Sequence, residues 1–283
     1  MITTDTAPSR ADALPRADAH IHLFEHGFRG DDATELDRYE QLRSTYGITA
    51  ALIIGYEGEQ RYRGNNRYIL DLAATRSWMH PVAYVRASDS PVRLADLSAR
   101  GYIGASAYLA APDAALNSWP PANVTGLTSL PLLSVNASPR ALQLSSRVLA
   151  EADETLVLVS HLGSPGPDAC GRSLEDTRAL LGPLLALAHY EHVVVKLSGL
   201  YAIDPGFPHD GARAAVEVLL DAFGPGRMVW GSDFSPGEDA VGTEGMMQLP
   251  GWLTAQLTPT ALAQLLGGTL HTHLARARAR GRT

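Results

Sequence analysis

Cysteine is almost absent from this 283-residue sequence, in which Cys170 is the single example. One cysteine excludes an intrachain disulfide and any zinc site built on several thiolates. No run of residues approaches the ~18 consecutive apolar positions of a transmembrane helix. The N-terminal segment also lacks the apolar core of a secretion signal. We therefore expect a cytoplasmic protein that does not associate with membranes.

Lysine is equally scarce, because Lys196 is the only lysine among 23 basic residues. Acidic residues number 30, so the net charge is −7 and the basic surface of a nucleic-acid-binding protein is not expected. A chain of this length suffices for one α/β barrel, which commonly uses ~250 residues. The expected partner is a small-molecule substrate, and the sequence leaves the oligomeric state open.

Short apolar segments alternate with longer segments of helical periodicity. Several of the short segments are apolar throughout, as expected for parallel strands covered on both faces. The predicted strands are Ala17–Leu23, Thr49–Gly55, Pro81–Arg86, Tyr102–Leu109, Leu130–Asn136, Thr155–His161, His192–Gly199 and Arg227–Asp233. This alternation predicts a single (β/α)₈ TIM barrel over residues 17–275, with a doubly wound open sheet as the alternative. Residues 1–16 are expected to form a flexible arm, and residues 276–283 a basic tail.

The helical segments carry recognisable end signals. Thr34 can cap a helix that Gly47 ends, and Ser173 can begin another that Pro183 splits. The stretch from Ala110 to Ser129 is rich in proline, asparagine and glycine and predicts a long loop.

Polar residues collect at the C-terminal end of every predicted strand. Active sites of (β/α)₈ enzymes lie at that end of the barrel. In chain order these residues are His20, His22, Glu57, Arg86, Tyr108, Asn136, His161, Lys196, Ser198 and Asp233. Chance placement would scatter them, so the pattern predicts one shared pocket.

The pair His20 and His22 is the first candidate for chemistry. Side chains two residues apart on a strand project to the same face, so both imidazoles can reach one ligand or metal. Asp233 and His161 end two further strands. Their structural alternatives are a turn-forming aspartate and a core histidine bonded to backbone.

Five motifs occur in order along the chain: DAHIHL, GNNRYILDLA, SHLG, VVVKLSGLY and VWGSDF. In this combination the sequence from about Asp18 to Leu270 resembles the amidohydrolase-2 family. Within it, the sequence is similar to the branch of TIM-barrel hydrolases that includes sugar lactonases and 2-pyrone-4,6-dicarboxylate lactonase. The resemblance implies active-site roles for His20, His22, His161 and Asp233. Lys196 and Ser198 match the motif on strand seven.

The sequence departs from the metal-dependent members at strand five. Those members usually have a histidine where this sequence has Asn136, a poor zinc ligand, and it has no lysine there for a bridging carbamate. A binuclear site is therefore not expected. The resemblance implies either catalysis without metal, which we expect first, or a single zinc or manganese ion. That ion would be held by His20, His22 and Asp233, with His161 as a further ligand.

A second departure concerns substrate charge. Dicarboxylate-handling members place an arginine near the end of strand four, where its fork can hold a carboxylate. This sequence has Ser106 and Tyr108 there. Arg86, or Arg61 and Arg63, are the available substitutes, with surface solvation as their alternative. We therefore expect a substrate less acidic than pyrone dicarboxylate.

The residues and the resemblance together predict a hydrolase of a small cyclic ester, a lactone. Asp233 would activate water as the base, and three histidines would polarise the carbonyl group. The alternatives are a metal-dependent decarboxylase of the same superfamily and a non-catalytic, ligand-binding descendant. The expected catalytic residues are Asp233 and His161, and the expected substrate-binding residues are His20, His22, Arg86, Tyr108, Asn136 and Lys196.

Overall fold

The computed structural model describes residues 15–109 and 114–280. Within these residues all eight predicted strands are present, and they form one parallel sheet in sequence order. The strands are β1 (Arg16–Ile21), β2 (Ile48–Ile54), β3 (Met79–Val85), β4 (Gly104–Leu109), β5 (Leu132–Ala137), β6 (Leu156–Val159), β7 (Val193–Leu197) and β8 (Met228–Trp230).

Helices connect consecutive strands and cover the sheet, which confirms the predicted (β/α)₈ barrel. The first group is α1 (Glu35–Thr45), α2 (Asn65–Ala73), α3 (Pro91–Ala95), α4 (Pro121–Thr128), α5 (Pro139–Glu151) and α6 (Leu174–Leu180). The second group is α7 (Gly182–Leu185), α8 (Arg213–Phe223), α9 (Pro236–Met247), α10 (Gly251–Thr254), α11 (Pro259–Ala263) and α12 (Thr269–Arg280). None of the helices over the described ranges has both the length and the hydropathy of a membrane-spanning segment.

The predicted terminal segments fall largely beyond the part of the chain that the structure describes. Residues 1–14 of the predicted arm and residues 281–283 of the predicted tail lie outside it. The backbone of α12 is helical to Arg280, so the predicted tail begins inside this helix.

The barrel closes where the segment after β8 meets β1. The amide of Asp233 donates to the carbonyl of His20 at 2.9 Å, and the amide of His22 donates to Phe234. The Asp18 carboxylate accepts from the amides of Ser232 at 2.9 Å and His20 at 3.1 Å. A side-chain carboxylate thus supplies part of the pairing that a longer β8 would provide through its backbone.

The barrel interior changes from apolar to polar along β5 and β7. Because alternate residues of a strand share a face, Leu132 and Ser134 of β5 point inward together, as do Val194 and Lys196 of β7. The inward apolar residues form one buried cluster, which Leu270 of α12 joins. The polar residues above this cluster place hydrogen-bonding groups beneath the mouth.

Two asparagines in the GNNRY motif fix α2 to neighbouring strands. The amide group of Asn65 donates to the carbonyl of Leu23 at 2.7 Å and accepts from the amide of Tyr56 at 2.9 Å. Asn66 donates to the carbonyl of Tyr84 at 2.8 Å and accepts from its amide at 2.7 Å. Asn65 therefore satisfies backbone groups just beyond β1 and β2, and Asn66 satisfies those of Tyr84 near the end of β3.

The structure corrects the long loop predicted over Ala110–Ser129. Residues 110–113 lie outside the described residues, but α4 occupies much of the rest. Pro121 stands in the first turn of α4, where its missing N–H costs no hydrogen bond and its fixed φ suits a helix. Gly126 packs against Leu94 of α3, since a Cβ added there would lie only 3.2 Å from the Leu94 Cβ. Proline and glycine here begin and pack a helix rather than form a loop.

Most predicted helix ends agree with the structure. The Ser173 hydroxyl caps α6, Pro183 separates α6 from α7, and Gly47 follows α1 with φ of +64°. The cap predicted at Thr34 is wrong, because its hydroxyl donates to the Asp32 carboxylate at 2.7 Å and leaves the helix amides uncapped.

We predict that Asp18→Ala lowers the free energy of unfolding by about 3 kcal/mol or more, since it leaves two buried amides and the Tyr39 hydroxyl without their acceptor. Urea unfolding followed by circular dichroism measures this. Asp18→Asn is the matched control, because its amide oxygen still accepts from both amides, and it should change stability by about 1 kcal/mol or less. An Asp18→Ala variant as stable as the wild type would contradict this account of barrel closure.

A second prediction concerns acid stability. Burial, followed by the neighbouring Arg278, lowers the pKa of His80 to about 4. The unfolded chain binds a proton at this residue near pH 6.5, so stability from neutral His80 is complete above that pH. This stability is lost as the pH falls through about 4, and the loss is on the order of 3 kcal/mol.

His80→Gln should therefore flatten the decline of unfolding free energy between about pH 6.5 and 4. The exposed His189 offers the control substitution His189→Gln, which should leave the decline unchanged. Urea unfolding at several pH values distinguishes the two, and an identical decline in His80→Gln and wild type would refute the assignment.

Candidate active site

β1 brings two imidazoles to one side of the barrel mouth. His20 lies in the strand and His22 just beyond it, and their Nε2 atoms are 3.1 Å apart. The carbonyl of Ile54, at the end of β2, lies 2.8 Å from Nδ1 of His22. Because a carbonyl only accepts, this Nδ1 carries the hydrogen, and Nε2 of His22 presents its lone pair to the site.

Asp233 lies beside this pair, three residues beyond β8. Its Oδ1 is 3.6 Å from Nε2 of His20, and its Oδ2 accepts from the Tyr201 hydroxyl at 2.6 Å. The backbone of Asp233 has φ of +60°, a conformation that residues other than glycine rarely adopt and that recurs at functional sites. Closure of the barrel holds the carboxylate there.

His161 follows β6 and completes the group. Its Nδ1 lies 3.8 Å from Oδ2 of Asp233 and 3.0 Å from the Ser198 hydroxyl, and its ring centroid lies 4.6 Å from that of His20. The chain after β7 can pass close to the His161 ring because Gly199 has no side chain. A Cβ at Gly199 would lie 2.6 Å from Nδ1 of His161. The His161 side chain is 15% exposed against 5% for Asp233, so it is the more open of the two to the mouth.

Lys196 lies beneath the histidines and is completely buried. Its Nζ is 3.2 Å from Nδ1 of His20 and donates to the Ser134 hydroxyl at 2.8 Å. Burial lowers the pKa of Lys196 to about 7, although Asp233 and Asp18 oppose this. The amine reaches the site at the second nitrogen of the His20 ring. Direct contact of Lys196 with substrate stays a prediction.

The three imidazoles are neutral at pH 7. Burial is the largest cause that lowers the pKa of His20, His22 and His161, and the nearby Lys196 lowers each further. For His22 the pKa falls to about 4 even though Asp233 raises it. A neutral imidazole has one donor and one lone pair, so His20 and His161 can polarise a carbonyl group, and the Nε2 lone pair of His22 can bind a metal.

Residues 134–269 match the model of the family described as amidohydrolase. The matched segment covers just under half of the chain, so this part of the sequence is similar to the amidohydrolase family. It includes His161, Lys196 and Asp233, and it confirms the resemblance found in the sequence motifs for these residues. The histidine pair of β1 lies before the matched residues. No curated protein sequence matches the chain.

Solved structures extend the likeness across the barrel. An amidohydrolase from Burkholderia multivorans with bound HEPES is 21% identical, with a TM-score of 0.76 over 92% of this chain and 99% of that chain. The same protein with bound zinc is 22% identical, with a TM-score of 0.74 and the same coverage. A provisionally named 2-pyrone-4,6-dicarboxylic acid hydrolase from Pseudomonas putida is 20% identical, with a TM-score of 0.72 over 93% and 98%. At these identities the comparisons show an amidohydrolase-type barrel fold.

A single metal ion fits the group His20, His22 and Asp233. One ligand atom from each lies within 4.8 Å of the others, and over the described ranges this is the one such group of three. Tetrahedral zinc with bonds of about 2.0–2.2 Å spaces its ligand atoms roughly 3.3 Å apart, close to the geometry of these side chains. His20 can ligate through Nε2 only when its Nδ1–H meets an acceptor, and neutral Lys196 or the Ser160 hydroxyl lies there.

The predicted substrate-binding residues divide between the site and its rim. The Tyr108 hydroxyl lies 3.5 Å from Nε2 of His22, and Asn136 bonds to that hydroxyl. Arg86 lies at the rim, where it donates to the carbonyl of Glu57. Its contacts are with Glu57 and the Tyr84 ring rather than with the histidines. A role for Arg86 in binding stays a prediction.

The sequence analysis did not include two residues that contact the candidate site. The Tyr201 hydroxyl donates to Asp233. The sequence feature that could have identified it is its position just after β7, in the motif KLSGLY. Asp18 connects the site to the barrel seam, and the sequence feature that could have identified it is a carboxylate two residues before His20 in the same strand.

We predict that chelator-treated protein takes up one zinc equivalent per chain. His22→Ala should weaken this binding by at least ~10²-fold, since it removes one of three ligands. Calorimetry, with elemental analysis after desalting, measures both. His26→Ala changes an exposed histidine nearby and should bind like the wild type. Either no uptake or two equivalents per chain would contradict the single-ion geometry.

Proposed function

We propose that this protein is an amidohydrolase-type enzyme that hydrolyses a small cyclic ester, a lactone. One observation carries the proposal: the Asp233 carboxylate lies 3.6 Å from His20 and 3.8 Å from His161 at the C-terminal mouth of the barrel. A proton acceptor thus stands beside neutral hydrogen-bond donors, the combination that ester hydrolysis requires. The name of the Pseudomonas putida protein, which specifies a pyrone, supports a lactone as the substrate class.

Asp233 acts as the general base in this proposal. Its Oδ2 is held by the Tyr201 hydroxyl. Burial, followed by Asp233 itself, raises the pKa of Tyr201 far above its usual value, so this hydroxyl stays protonated and remains a donor. Oδ1 is left to accept a proton from the attacking water, a role that typically contributes about 10²–10⁴-fold in rate.

His20 and His161 stabilise the negative charge that develops on the carbonyl oxygen, whereas His22 presents a lone pair and positions the His20 ring. The ring centroid of His20 lies 5.0 Å from that of His22 and 4.6 Å from that of His161. Water oxygen bonds to the carbonyl carbon, and its proton passes to Asp233. The ester C–O bond then breaks, and Asp233 returns the proton to the leaving alkoxide, which yields a hydroxy acid.

The same residues define the role of a metal. His20, His22 and Asp233 would hold a single ion, zinc or manganese. When bound, it supplies Lewis-acid polarisation of the carbonyl oxygen and a lower pKa for its bound water. We place the metal-free reaction first because Asn136 occupies the strand-five position of the missing ligand.

Asp233→Asn tests the proposed base. We expect kcat on a hydrolysed lactone to fall by at least about 10²-fold, because an amide cannot take the proton of water. The melting temperature should change little, since the amide oxygen still accepts from Tyr201. His161→Ala should lower kcat by about 10²–10³-fold through loss of one donor. A pH-indicator assay on a lactone panel measures these rates.

The exposed Asp221 provides the control substitution Asp221→Asn, which should keep the wild-type kcat. Near-wild-type activity of Asp233→Asn together with an inactive His161→Ala would make His161 the base. Full activity of both variants would place the chemistry elsewhere.

A further inference from the structure

The mouth above His22 is lined by a continuous aromatic wall. Its members come from the segments at the ends of β1 to β4. They are Phe24, Tyr56, Tyr62, Tyr84 and Tyr108. Neighbouring ring centroids lie 4.1 Å apart for Phe24 and Tyr62, 4.9 Å for Tyr56 and Tyr108, and 5.6 Å for Tyr84 and Tyr108. Tyr56 and Tyr62, with centroids 5.6 Å apart, connect these pairs into one continuous surface of rings.

This wall reaches the reacting groups. Phe24 stacks on His22 with ring centroids 5.8 Å apart and an interplanar angle of 9°. The Tyr108 hydroxyl lies 3.5 Å from Nε2 of the same histidine. Tyr56 and Tyr84 are partly exposed, so their rings are open to a bound molecule. A substrate whose carbonyl meets the histidines must therefore lie along these rings.

Polar side chains next to the wall are already engaged with the backbone. Asn65 and Asn66 bond to backbone groups at Leu23, Tyr56 and Tyr84. The Glu57 carboxylate accepts from the amide of Asn66 at 3.0 Å. These amides and this carboxylate cannot serve the several hydroxyls of a sugar lactone without breaking structural bonds.

Two arginines next to the aromatic wall, Arg86 and Arg61, already have partners. Arg86 donates to the carbonyl of Glu57 and lies 5.2 Å over the Tyr84 ring. Arg61 pairs with Glu59 at 3.1 Å and lies 4.6 Å over the Tyr62 ring. Recognition of a dicarboxylate requires a guanidinium fork directed at it. Arg86 and Arg61 instead lie over the Tyr84 and Tyr62 rings and are bonded to Glu57 and Glu59.

We propose that the substrate is an uncharged lactone that carries an aromatic ring, which stacks on the aromatic wall while its ester carbonyl meets the histidines. The hydrolysis of this substrate rests on the function proposed above, but its recognition does not. Stacking on one ring is worth roughly 3–10-fold in affinity.

Three lactones separate the substrate classes. Dihydrocoumarin is uncharged and aromatic, glucono-δ-lactone is an uncharged polyol, and 2-pyrone-4,6-dicarboxylate is a dianion. Calorimetry with Asp233→Asn measures binding without turnover, and assays with the wild type measure hydrolysis. We expect the variant to bind dihydrocoumarin at least ~10-fold more tightly than either other lactone. Equal or tighter binding of the polyol or the dianion would overturn the proposal. If dihydrocoumarin binds as expected but the wild type hydrolyses none of the three, the hydrolytic function fails and the recognition stands.

The ring of Tyr56 offers a sharper test. Tyr56→Ala should raise KM for dihydrocoumarin by about 10-fold and change kcat by less than about 3-fold, whereas Tyr56→Phe keeps the ring and should match the wild type. Tyr190→Ala, at a tyrosine 39% exposed and far along the chain, is the control and should have no effect. Equal losses for all three lactones in Tyr56→Ala would make the wall a structural cluster and refute its role in selection.

Discussion

The hydrogen bonds accepted by Asp18 hold the two ends of the barrel together. β8 is three residues long and is too short to form a full ladder with β1. Asp18 binds the amides of Ser232 and His20 at one carboxylate oxygen, and Gly231 lets the chains approach, since a Cβ there would lie 2.9 Å from the Cβ of His20. Because this seam carries both His20 and Asp233, barrel closure and assembly of the active site depend on the same contacts.

Burial of the ionisable groups at this seam disfavours their charged forms and so sets the protonation states in the site. Removal of the groups from water raises the pKa of Asp18 to about 6 and lowers that of Lys196 to about 7. The same burial keeps His20 and His22 neutral, which leaves their donors and lone pairs free for chemistry. Apolar side chains in place of Lys196, His20 and His22 would avoid this desolvation cost, so these three polar residues are best explained by function.

The fold could be predicted from the sequence because each parallel strand is locally apolar and each ends in a polar residue. Local pattern could not predict which of these residues meet. Arg86 ends a strand like the histidines, but its long side chain turns back to the carbonyl of Glu57 at the rim. Tyr201 lies beyond its strand, and only the three-dimensional path of the chain brings it to Asp233. α4 was missed because Pro121 and Gly126 suit a helix start and a close packing contact as well as a loop.

The protonation state of Lys196 determines which nitrogen of the His20 ring carries the hydrogen. A lysine ammonium only donates, so beside it Nδ1 of His20 accepts and Nε2–H becomes a donor to a carbonyl oxygen. A neutral amine can accept from Nδ1–H, which turns the Nε2 lone pair toward a metal. With a lysine pKa of about 7, both forms are accessible near neutral pH. The proposed metal-free reaction would use the first form and a single-metal reaction the second. The proposed stacking of a substrate ring on the aromatic wall is compatible with both, because stacking on rings does not depend on the charge beneath them.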